Sequence, residues 1–134
     1  MKYECKQFVR WDDVDAFGHV NNAKYLVYAQ EARFQWSTVQ FDGKDEPPSI
    51  IAMVVGRAEV DFIAPIYVGG HFVDVILWVD SISNSSFVMT CEIFDKGVLV
   101  ARVKSVQVAV SMETKKSRPL TDNERTFLTQ YLEK

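Results

Sequence analysis

Between Gly18 and Gly43 the chain contains neither proline nor glycine, and the apolar residues of that stretch do not keep to one side of a helix. Asn21 or Asn22 supplies an N-cap, because a short polar side chain there accepts from the unsatisfied amides of the first turn. The reading is a helix from Ala23 to about Val39. Tyr25, Leu26, Val27, Tyr28, Ala29, Ala32, Phe34, Trp36 and Val39 spread over more than one face, whereas a surface helix confines such residues to a single stripe. A helix of this kind has to be wrapped by sheet or covered by another subunit. The segment Asp42 to Pro48 stops it, with Gly43 as a C-terminal cap and Pro47 and Pro48 unable to continue it.

What can wrap the helix follows directly in the chain. Four runs rich in Val, Ile, Phe and Thr begin at Ile50, His71, Ser86 and Val98, and an alternating segment from Tyr3 to Val9 precedes the helix. Asn84-Ser85 and Asp95-Lys96-Gly97 are turn chemistry, so the last three strands are expected to form an antiparallel meander. Thr121 followed by Glu124 is a capping box for a short C-terminal helix to Tyr131. The order strand, long helix, four strands, short helix is an α+β domain with one antiparallel sheet curled around a central helix. Such a sheet has two edges, and two copies joining edge to edge would protect them.

Size and charge narrow the function. With 134 residues the expectation is a single domain spanning 1–134. A net charge of −3 provides no global attraction for nucleic acid or anionic lipid. The opening residues mix charges throughout, so neither a leader nor a membrane span is expected, and the location read from this is cytoplasmic. Cys5 and Cys91 lie in alternating apolar stretches and read as buried thiols.

The candidate chemistry sits between the first strand and the helix, in Asp15-Ala16-Phe17-Gly18-His19-Val20-Asn21-Asn22-Ala23 followed by Tyr25-Leu26. Gly18 suits a turn, Asp15 tolerates one, and Asn21 or Asn22 opens the helix. This string resembles the 4-hydroxybenzoyl-CoA thioesterase group of hotdog proteins, which includes the YbgC-like acyl-CoA thioesterases. Glu31-Ala32-Arg33, Asp61-Phe62-Ile63-Ala64-Pro65 and the Val-rich closing strand are also similar. The resemblance covers roughly residues 5 to 120. It implies a hotdog fold and an acyl-CoA thioesterase that releases a carboxylic acid and free CoA, with Asp15 as nucleophile or general base. It further implies a site shared between subunits of a dimer or dimer of dimers.

The chemistry fits that implication. A carboxylate either attacks the thioester carbonyl or takes a proton from water, and the charge that builds on oxygen can be held by helix-opening amides. Gly18, His19, Val20, Asn21 and Asn22 are expected to shape the loop and helix start; Phe17, Tyr25, Glu31 and Phe62 are candidates for the substrate pocket. Arg57, Arg102 and Lys104, with Lys115, Lys116 and Arg118, are the cations available to CoA phosphates. Where the group often carries an acidic residue after the Pro-containing loop, this chain reads Gly69-Gly70-His71.

Other readings meet obstacles. Asp12, Asp13 and Asp15 begin like a calcium loop, but Phe17 and Lys24 occupy later ligand positions, so no metal and no cofactor are expected, and Asp12 and Asp13 read as a solvated turn. No G-x-S-x-G elbow is present for a serine hydrolase. Glu31 is assigned either to the site or to a pair with Arg33 or Lys24. Two alternatives to a CoA thioesterase stand: hydrolysis of an acyl carrier protein thioester, and non-catalytic binding of acyl thioesters.

Overall fold

Tyr3–Val9 (β1), a 3-10 turn at Trp11–Asp13, Asn22–Phe41 (α1), Val54–Phe62 (β2), His71–Ile82 (β3), Ser86–Asp95 (β4), Val98–Val108 (β5) and Asp122–Gln130 (α2) follow one another in the computed structural model. It describes residues 1–41, 50 and 53–134. The expected helix stop at Gly43, Pro47 and Pro48 lies outside the described residues.

The five strands form one antiparallel sheet in the order β1-β3-β4-β5-β2. The meander of β3, β4 and β5 follows its turns: Lys96 and Gly97 both take positive φ between β4 and β5. β1 pairs with β3, with Val9 opposite His71, and β2 crosses the sheet to pair with β5, with Phe62 opposite Ala101. β1 and β2 are therefore the two edges.

Strand alternation sets which face meets α1. Val73, Val75, Leu77 and Val79 of β3, Phe87, Met89, Cys91 and Ile93 of β4, and Ala101 and Val103 of β5 are buried beneath the helix. The opposing stripe of α1 is Tyr25, Tyr28, Ala29, Ala32 and Trp36, spaced by three or four residues. Trp36 also packs on Phe127 and Tyr131, joining α2 to the core. α2 begins as expected: Thr121 accepts from the Glu124 amide, and Glu124 accepts from the Thr121 amide.

This is the hotdog arrangement, with one qualification. Within a single chain α1 is wrapped on one side only, and Leu26, Val27, Phe34 and Val39 remain exposed. Val54, Val55 and Phe62 of the edge strand β2, and Ile63 just after it, are exposed as well. The all-round apolar pattern of the helix thus serves two surfaces, the sheet and an uncovered flank.

Candidate active site

Residues 14 to 20 close on themselves before α1 begins. Val14 bridges to Val20, the Asp15 amide donates to the His19 carbonyl at 3.1 Å, and the Gly18 amide donates to the Asp15 carbonyl at 3.0 Å. Gly18 has φ +85°, a conformation open to glycine at little cost. The loop is tied down on both sides: the Val20 amide reaches the Ile66 carbonyl at 2.7 Å, and the Asn21 amide reaches the Asp13 carbonyl at 2.9 Å.

Asp15 sits half-buried in this loop. Its Oδ1 accepts from the Phe17 amide at 2.9 Å, and its Oδ2 faces Asn21 Nδ2 at 3.4 Å. Among the described residues no cation forms an ion pair with it. Asn21 has a second task, because its Oδ1 accepts from the Ala23 amide at 3.0 Å and caps α1. The Lys24 amide is taken by the Asn21 carbonyl at 2.9 Å. Of the helix-opening amides, that of Asn22 lies outside these bonds, and Asn22 lines the adjacent cleft.

That cleft, about 190 Å³, is walled by His19, Val20, Asn22, Tyr25, Phe62, Ile63, Ala64 and Pro65. Tyr25 and Phe62 meet edge to face with centroids 5.5 Å apart. Burial raises the Tyr25 phenol above its ordinary range; a backbone bond with Ile66 acts the other way, and nearby Asp95 adds to the rise. His19 Nδ1 lies 3.3 Å from the Val20 carbonyl, which suits a loop-ordering residue.

The loop rests on a side chain that sequence reasoning misplaced. Asp13 is buried rather than solvated: Oδ2 accepts from the Tyr28 hydroxyl at 2.7 Å and from the Arg10 amide at 2.9 Å, and Lys24 Nζ lies 3.6 Å from Oδ1. The alternation of charges in Trp11 to Asp15 gives no hint of this, since the partner is fifteen residues away on α1. Gly69 supports the same turn from the other side. A Cβ there would lie 2.5 Å from the Arg10 carbonyl oxygen, so only glycine lets the two backbones meet. Next to it His71 Nε2 contacts Asp95 Oδ1 at 2.8 Å.

Not every candidate residue gathers at this cleft. Tyr25 and Phe62 line it, while Phe17 is 86% exposed and Glu31 lines a different cleft farther along α1. Glu31 pairs with neither Arg33 nor Lys24 among the described residues, because Lys24 turns to Asp13. Arg57 is paired with Glu59, and Arg102 holds Glu92 through two nitrogens on the sheet face away from α1, where Lys104 is its strand neighbour. Arg118 is engaged by Glu124 at 2.9 and 3.0 Å. Cys5 and Cys91 are free thiols, Cys91 fully in the core and Cys5 partly covered.

A five-stranded antiparallel sheet curled on one long helix, with a carboxylate-bearing loop leading into that helix, is the architecture of the hotdog class. The sequence matches the Thioesterase-like superfamily over residues 9–126, and the chain belongs to that superfamily. It is 28% identical over 134 residues to a 1,4-dihydroxy-2-naphthoyl-CoA hydrolase from Microcystis aeruginosa, covering 96% of this chain and 92% of the relative. A solved structure described as a predicted thioesterase from Bacillus stearothermophilus superposes with a TM-score of 0.86 at 26% identity, covering 100% of this chain and 98% of that one. A thioesterase from Thermus thermophilus, solved with coenzyme A and zinc, gives a TM-score of 0.81 at 28% identity, with 96% of this chain and 92% of that one covered. Membership places the chain among thioester hydrolases. No helix among the described residues is long and apolar enough to cross a membrane.

Proposed function

We propose that the protein is an acyl-CoA thioesterase in which Asp15 acts as nucleophile or general base. The observation that carries this reading is the double role of Asn21, whose side chain links the Asp15 carboxylate to the first turn of α1. One residue thereby fixes the attacking group relative to the amides that would receive the developing charge. In the direct route Asp15 adds to the thioester carbonyl, the C–S bond breaks, CoA leaves as thiolate, and water then hydrolyses the mixed anhydride. In the other route Asp15 takes a proton from the attacking water. Both place negative charge on the carbonyl oxygen, and the Asn22 amide is the donor we assign to it. Neither route calls for a cofactor.

An aroyl substrate is favoured over a long alkyl chain. The cleft is small and lined by Tyr25 and Phe62, and the Microcystis relative carries the name of an aroyl-CoA hydrolase. The single 1–134 domain is proposed to act as a homo-oligomer, because the exposed apolar flank of α1 and the open edge of β2 call for cover. CoA is preferred to an acyl carrier protein as carrier, since Arg118 of the basic tail is already engaged by Glu124.

Thiol release from a panel of benzoyl-, hydroxynaphthoyl-, short- and long-chain acyl-CoAs tests the reading. Asp15→Asn should lower kcat by about two to four orders of magnitude while leaving the fold intact. Full activity in that variant would end the assignment of Asp15; no turnover of any acyl-CoA by the unaltered protein would end the thioesterase reading.

A further inference from the structure

Among the described residues that line the cleft beside Asp15, Tyr25 alone carries a hydroxyl. Because α1 opens at Asn22, Tyr25 lies three residues in and shares a helix face with it. Three residues rise about 4.5 Å, less than the length of a tyrosine side chain, and helical side chains lean back toward the N-terminus. The phenol therefore leans toward the amides of the first turn. Its ring is fixed from two directions, edge to face against Phe62 with centroids 5.5 Å apart and against Tyr28 at 6.2 Å. Buried and held in this way, Tyr25 keeps one orientation.

Tyr25 differs from its neighbour Tyr28 in the fate of the hydroxyl proton. Tyr28 gives its proton to Asp13 Oδ2. Burial first, and then the Asp95 charge, hold the Tyr25 phenol protonated, while the backbone bond with Ile66 opposes them, as an amide donating to a phenol oxygen does. An amide hydrogen satisfies the oxygen and leaves the hydroxyl proton unused, and among the described residues the hydroxyl makes no other bond. Asp95, the carboxylate whose charge reaches the phenol, is held by His71 Nε2 at 2.8 Å, both standing on the sheet face of Val73 and Ile93. We propose that Tyr25 is a second donor to the thioester carbonyl oxygen, acting with the Asn22 amide. As Asp15 or its water adds to the carbonyl carbon, the C=O π electrons move to oxygen and both hydrogen bonds strengthen, the phenol keeping its proton. The C=O bond then re-forms, the C–S bond breaks, and CoA leaves as thiolate. This role rests on the thioesterase reading and adds to it a side-chain donor that is in place before the charge develops.

Three readouts on the full chain test the donor. Tyr25→Phe should lower kcat for the acyl-CoA hydrolysed by about two to three orders of magnitude, with KM changed less than about threefold, because the bond strengthens only in the transition state. 3,5-Difluorotyrosine at position 25 keeps the shape of the ring and makes the phenol more acidic, so kcat should fall away at lower pH than in the unaltered protein; a residue that only packs leaves that limb where it was. The titratable groups facing the phenol are Asp95, held by His71, with Tyr28 one turn on and His19 lining the same cleft, and the fluorines alter none of them. This second readout stands even if Tyr25→Phe does not fold. A ketone analogue of benzoyl-CoA, with CH₂ for the thioester sulfur and ¹³C at the carbonyl, needs no turnover, and its resonance should lie downfield on the unaltered protein relative to Tyr25→Phe. A kcat in Tyr25→Phe within about threefold of the unaltered value, an unmoved alkaline limb or an unmoved carbonyl resonance overturns the proposal while leaving Asp15 in place. Turnover of no acyl-CoA by the unaltered protein ends the thioesterase reading instead, and the carbonyl resonance then still decides whether Tyr25 donates.

Discussion

Replacing Tyr28 by Phe removes one oxygen from the interior, and the structure allows the consequence to be worked out. Tyr28 and Asp13 are 3% and 2% exposed, and the hydroxyl donates to Asp13 Oδ2 at 2.7 Å. Without it, that oxygen retains, among the described residues, only the Arg10 amide at 2.9 Å, and water cannot take the vacated place without a polar cavity to hold it. A hydrogen bond to a carboxylate contributes about 1.5–3 kcal/mol, and leaving a buried acceptor short of a donor costs a similar amount. With an unfolding entropy of about 2.1 cal/mol/K per residue over 134 residues, a loss near 2 kcal/mol lowers Tm by about 7 °C. Because the Asp13 carbonyl accepts from the Asn21 amide, the disturbance also reaches the loop that carries Asp15, and kcat should fall together with stability. The check is a thermal melt, a urea titration and an acyl-CoA assay on Tyr28→Phe and the unaltered protein. A stability change below about 0.5 kcal/mol would refute the claim that the Asp13 cluster anchors the loop.

Three further substitutions probe other parts of the fold. Burial pushes the Cys91 thiol up to about 12, so in the folded state it stays protonated at pH values where the unfolded thiol ionises. Its stabilising share is complete below the unfolded value near 9 and is lost as pH rises from there towards 12. In reducing buffer the stability difference between the unaltered protein and Cys91→Ala should therefore shrink by about 1.4 kcal/mol between about pH 7 and about pH 10, and a constant difference would refute it. Gly69→Ala should lower the urea midpoint by the equivalent of about 1–3 kcal/mol, since the new Cβ meets the Arg10 carbonyl; an unchanged midpoint would show that the turn yields freely. Arg118→Met uncouples a cation from the fully buried Glu124, and a loss of about 3 kcal/mol is expected in the same titration.

Much of the fold is legible in local signals. The Thr121 and Glu124 cap, the Lys96-Gly97 turn and the Asn21 helix start all act over a few residues, and all appear where the sequence puts them. The motif around Asp15 is local in the same sense, since its turn closes through bonds between residues 15, 17, 18, 19 and 21. Asp13 is the contrary case. Its neighbours in sequence read as a solvated acidic turn, and only the arrival of Tyr28 from α1 makes it a buried acceptor.

The sequence by itself determined the element order, the two helix starts, the meander and the placing of Asp15 against the opening of α1, because caps, turns and strand alternation draw their energy from adjacent residues. Tertiary structure alone decided that β2 crosses to the far edge beside β5 and that Arg102 meets Glu92 across the β4 and β5 pair. Those outcomes depend on which strands become neighbours and in what register. A charge finds its partner across the sheet only once that register exists.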